Sequence, residues 1–135
     1  MGYLFWWCYD SSTYIKTFIM TQEEKKLLLK DLYARLPYGV IVKYKSQESE
    51  GQIKLGYGNI GYVAELGRGW WIDCKPYLRP MSSMTEEERK EYERFSHFGI
   101  GFAPILMDWI YSHHLDCCGL IEKGLALEAP EGMYE

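Results

Sequence analysis

A chain of 135 residues, 47% apolar and 25% charged, is sized and composed for one globular domain and not for a disordered or fibrous segment. Its net charge of −4 speaks against generic nucleic-acid binding, and no stretch reaches the ~20 apolar residues that span a bilayer. The charge is uneven: residues 37–83 carry 6 basic and 4 acidic side chains, whereas residues 84–135 carry 4 and 11.

Residues 1–19, MGYLFWWCYDSSTYIKTFI, begin with an apolar run that marks neither face of a strand. They read as a hydrophobic extension or arm, with residues 20–135 as a single α+β domain. Asp10, Ser11, Ser12 and Thr13 interrupt the run and no basic segment precedes it, so no secretory signal is expected there. Cys8, Cys74, Cys117 and Cys118 do not resemble a disulfide framework, because neighbours such as 117 and 118 close a strained ring. A reduced, cytoplasmic protein is expected.

Thr21-Gln22-Glu23-Glu24 is a capping box, in which Thr21 and Glu24 satisfy each other's backbone amides. Leu28, Leu29, Leu32, Tyr33 and Leu36 recur at helical spacing behind it, and Asp31/Arg35 reads as a solvent-facing i,i+4 pair. Pro37 ends this helix.

From residue 40 the period changes to two. Val40/Val42/Tyr44, Ile53/Leu55/Tyr57, Ile60/Tyr62/Ala64/Leu66 and Trp70/Ile72/Cys74 suggest four strands separated by turn formers. Pro76 and Pro80 bracket an extended exit. Thr85-Glu86-Glu87-Glu88 repeats the capping box and starts a second helix with a narrow apolar edge at Tyr92 and Phe95. Pro104 opens a third helix running to about His114. Leu120–Lys123 follows as a short helical piece with Gly124 as its left-handed cap.

The expected architecture is a four-stranded antiparallel meander, curling towards a small half-barrel and packed with about three helices. Its core should include Leu28, Leu32, Leu36, Val42, Leu55, Ile72, Leu106, Trp109, Ile110 and Leu120. Helix within residues 52–66, or parallel pairing, would contradict it.

LPYGV at 36–40, KPYLRPMSSMTEEE at 75–88 and HHLDCCGLIEKGLALEAPEGMY at 113–134 resemble a family of short uncharacterised proteins from gut bacteria of the Bacteroides type. The resemblance runs from Met20 to Tyr134 and implies a bacterial, cytoplasmic protein. It carries no site residue or activity with it.

The densest chemistry lies in His113, His114, Asp116, Cys117 and Cys118, all metal-ligating types. Adjacent helical side chains point ~100° apart, however, and no second ligand pair stands at a zinc-site spacing. No metal centre and no cofactor are therefore expected. A His-His nuclease reading lacks the later Asn and His, and a Cys–His nucleophile would sit at an electronegative helix end. Lys43, Lys45, Lys54, Arg68, Trp70, Trp71 and Lys75 could form a basic aromatic sheet for single-stranded nucleic acid. The reading preferred here is a non-catalytic protein-interaction module whose partner is another protein. Its interaction candidates are Trp70, Trp71, Arg68 and Lys54. The alternatives are single-stranded nucleic-acid binding and a zinc-dependent hydrolase or nuclease at the HHLDCC stretch.

Overall fold

The computed structural model describes residues 20–134 apart from Gly67, Phe98 and residues 100–102. The arm expected at residues 1–19, with Cys8, lies outside the described residues.

Helix α1 spans Gln22–Arg35 and starts on the capping box, with both reciprocal Thr21–Glu24 hydrogen bonds at 3.0 Å. Leu28 and Leu32 are fully buried. Asp31 and Arg35 are buried beside them, which corrects the solvent-facing reading. Burial is tolerable because Nε and Nη2 of the guanidinium are hydrogen-bonded, although Nη1 is buried without a partner among the described residues. Arg35 donates from Nε to Asp31 Oδ2 at 2.7 Å, and from Nη2 to Asp31 Oδ1 at 3.1 Å and the Leu115 carbonyl at 2.7 Å. A 3₁₀ turn at Leu36–Tyr38 follows and ends at Gly39, whose φ of 75° lies in the left-handed region.

Strands β1 (Ile41–Ser46) and β2 (Glu50–Lys54) form an antiparallel hairpin. Strand β3 (Trp71–Leu78) pairs antiparallel with the other side of β1, and β4 (Leu127–Glu128) pairs parallel with β3. The order β2-β1-β3-β4 makes a mixed four-stranded sheet with β1 inside it. The fold is α+β as expected, but the sheet is neither a meander nor wholly antiparallel. The chain reaches β4 only after the two helices of its second half, a crossover long enough for parallel pairing.

The expected third strand is helix α2, Ile60–Ala64. Its apolar residues fit two periods, and the helical one prevails because Ile60, Val63 and Leu66 are buried at spacings of three while Tyr62 is exposed. Asn59 sets the entry by accepting the Gly56 amide at 2.8 Å.

A bulge decides which tryptophan is buried. Tyr44 pairs with Cys74 and Lys45 with Asp73, but Ser46 pairs with Trp71, so Ile72 is the extra residue. Trp71 thereby joins Tyr44 and Cys74 on the inner face and stacks on Tyr44 with ring centroids 5.0 Å apart. Ile72 is left only half-buried, contrary to expectation.

Leu28, Leu32, Val42, Leu55, Ile60, Val63, Trp71, Cys74, Leu78, Leu120 and Leu125 share one core cluster, which places α1 and α2 on the same face of the sheet. Lys43, Lys45 and Lys75 alternate onto the opposite face. Helices α3 (Glu86–Ser96) and α4 (Ala103–Ser112) pack on each other. Ile110 is buried, but Leu106 and Trp109 are half-buried. Trp109 packs beside Tyr92 and Phe95 of α3 and donates to Glu91 at 3.3 Å. No described helix is long and apolar enough to cross a membrane.

Candidate functional site

Where α4 ends, the six residues from His113 to Cys118 take different roles. His114 has φ of 60°, in the left-handed region that histidine enters more readily than most residues. The His114 amide donates to Tyr111 O at 3.0 Å and the Leu115 amide to Ile110 O at 3.1 Å, the paired bonds of a Schellman cap. This backbone reversal drives the two histidines apart. The His113 ring lies on Trp109, centroids 4.2 Å apart, and its Nδ1 is 2.8 Å from the Trp109 carbonyl oxygen. That oxygen can only accept, so Nδ1 carries a proton. The His114 ring stacks on Tyr134 at 3.6 Å and is buried with Nδ1 unpartnered. Burial, then Arg35, Arg79 and His113, hold its pKa down to about 4, so it is neutral at pH 7.

Asp116 caps the turn that follows. Its Oδ1 accepts the Leu120 amide at 2.9 Å and its Oδ2 the Ile121 amide at 3.0 Å. Gly119 and Gly124, with φ of 72° and 79°, shape that turn, which is not a regular helix. Cys117 is half-buried and Cys118 exposed, with Sγ atoms 3.5 Å apart.

The five metal-ligating candidates therefore do not converge as one set. Among the described residues, the donor atoms that gather are those of Asp31, Cys117 and Cys118, all within 4.8 Å of one another. Asp31 lies on α1, and in the sequence it looked only like half of a surface ion pair.

A cleft of about 550 Å³ opens beside the histidines, walled by the end of β3, the start of α3, the end of α4 and residues 128–134. Arg79 organises it. Its guanidinium meets the Glu88 carboxylate twice, at 2.7 and 3.1 Å, and also donates to the carbonyls of Ser83 and His113. Those hydrogen bonds hold the Glu88 pKa down to about 2. With Arg79 so occupied, the remaining charged groups in the wall include Glu128 and Glu131, which makes the cleft acidic. Nothing in the sequence pointed to Arg79, whereas Glu88 was visible as the last residue of its capping box.

The interaction candidates fall in three places. Trp70 and Arg68 are exposed in the loop before β3, and Lys54 is exposed at the end of β2. Trp71 is buried between Tyr44 and Tyr62, so it is withdrawn from any ligand.

Among the described residues, one side of strand β2 is unpaired. Leu55 N donates to Val40 O and Ser46 N to Ser49 O, which fixes 40/55, 42/53, 44/51 and 46/49 as the hydrogen-bonded pairs of the hairpin. The amides of Glu50, Gln52 and Lys54 therefore point away from β1, and among the described residues no strand pairs with that side. No family model, no curated protein and no solved structure matches the chain.

Proposed function

We propose that this protein is a non-catalytic protein-interaction module that accepts an extended, acidic segment of a partner as an added strand beside β2. The carrying observation is the row of outward amides at Glu50, Gln52 and Lys54 on an edge strand whose residues are almost all exposed. Natural edge strands are usually shortened, bulged or covered; one left open is a template for strand addition. Lys43, Lys45 and Lys54 lie exposed on and beside this edge, against Glu50 alone within β2, which favours acidic side chains in the partner. Exposed Tyr57, Tyr62 and Trp70 in the adjoining loops and α2 offer aromatic anchors.

The single-stranded nucleic-acid reading has less support. The lysine-bearing face of the sheet presents no exposed ring, since Trp71 is on the other face and Tyr77 is buried. Hydrolysis at the HHLDCC stretch is not favoured either, because His113 and His114 are packed on different aromatic rings.

Isotope-labelled protein titrated with short synthetic peptides of alternating acidic and β-branched residues tests the reading. Amide shifts should centre on Glu50, Gln52 and Lys54. Gln52→Pro removes one outward amide without touching the β1 ladder and should abolish binding, while Gln52→Ala should retain it. Absence of binding, shifts centred on the cleft, or tighter binding of an oligothymidylate would overturn it.

A further inference from the structure

We propose that Asp31, Cys117 and Cys118 together bind a soft or borderline divalent cation of the zinc class. The two sulfurs stand 3.5 Å apart, near the ~3.8 Å that separates two thiolates bound tetrahedrally at ~2.3 Å from one zinc ion. All three donors lie within 4.8 Å of one another, against the ~3.3–3.8 Å that separates donors bound tetrahedrally at ~2.0–2.3 Å from one ion. Side-chain movements of about an ångström would bring them onto one ion.

The surroundings suit the charge. Two thiolates and one carboxylate meet a dication and the Arg35 guanidinium, so the loaded site is neutral and leaves no uncompensated charge inside the protein. Arg35 donates one hydrogen bond to each Asp31 oxygen, which leaves lone pairs on both for a metal. It then acts as the outer partner that orients a ligating carboxylate. Cys118 is exposed and provides an entry path. The three side chains leave a fourth position for water.

Loading involves no redox change. Each cysteine S–H bond breaks, two sulfur–metal bonds form, and two protons leave to solvent. Because metal binding releases the thiol protons, uptake should strengthen as pH rises. The site would tie α1 to the turn after α4, segments more than 80 residues apart in the chain. It rests on none of the features invoked for strand addition.

The full chain, purified without a histidine tag and kept reduced without added thiols, should take up one equivalent of Co(II). The expected signature is a thiolate-to-cobalt charge-transfer band that Zn(II) displaces. Cys118→Ser, at an exposed position, should lose the band and weaken Zn(II) binding beyond the ~10–100-fold typical of outer-shell changes. His113→Ala should bind as the parent does. X-ray absorption of the zinc-loaded parent should read two sulfurs and at least one oxygen, with no imidazole, which tests Asp31 without a variant there. No stoichiometric uptake, uptake that survives Cys118→Ser, or an imidazole signature would overturn the assignment.

Discussion

Helices α1 and α3 begin with nearly the same residues, MTQEEKK at 20–26 and MTEEERK at 84–90, and close the same capping box, yet they belong to different parts of the energetics. From α1, Leu28, Asp31, Leu32 and Arg35 are buried, whereas α3 buries none of its residues. Start chemistry decides where a helix begins. The residues one to three turns further on decide how much it contributes, because most helical stability comes from packing an apolar face. The ion pairs divide the same way: Asp31–Arg35 is 2.7 Å and inaccessible, while Glu86–Arg89 is 3.6 Å and exposed.

The sharpest way to break this comparison is at Arg35. Arg35→Met leaves the Asp31 carboxylate buried without its partner and should cost ~3–5 kcal/mol in urea unfolding. Replacing both residues with apolar ones of similar volume should recover much of that loss. A single-variant loss near that of a surface position would place α1 in the same class as α3.

A smaller effect is expected where α3 does touch the rest of the fold, at Glu88. Glu88→Gln should cost about 1 kcal/mol by weakening the two-point contact with Arg79. Because the folded-state pKa is about 2 against an ordinary 4.5, the unfolded chain takes up this proton first. The contribution is complete above pH 4.5 and is lost as pH falls towards 2. Thermal melting across that window should show a shallower acid limb in the glutamine variant.

The smallest effect belongs to the solvated pair. Arg89→Ala should change stability by less than ~0.5 kcal/mol, since both partners are exposed and screened by water. A larger loss in chemical denaturation would mean that α3 is more tightly integrated than its exposure suggests.

Local signals were legible in the sequence: both capping boxes, the turn formers between the first two strands and the left-handed glycine at 124 are where their residue types place them. What was not legible depended on partners distant in the chain. Spacings of two and three both fitted Ile60–Leu66, and only packing against α1 and β3 selects the helix. One extra residue at Ile72 exchanged the fates of Trp70 and Trp71, and no strand pattern carries a mark for a bulge set by its neighbour. Asp31 and Arg35 looked like a surface pair because their inward rotation is fixed by the Leu115 carbonyl, 80 residues away. For the same reason Asp31 was missing from the metal candidates: the HHLDCC stretch displays its own donors and hides the one brought to it by the fold.

Tyr134 gives the sheet a late closure. Its hydroxyl accepts the Ile41 amide at 2.9 Å across 93 residues and donates to the Tyr77 carbonyl at 2.7 Å, joining β1 and β3 through a residue near the chain end. Closing so large a loop has an entropic cost that falls only when the intervening segments are already ordered. In kinetic terms the contact is expected to form on the downhill side of the folding barrier. Slow hydrogen exchange at the Ile41 amide would therefore report completion of the fold, while the hairpin amides report its beginning.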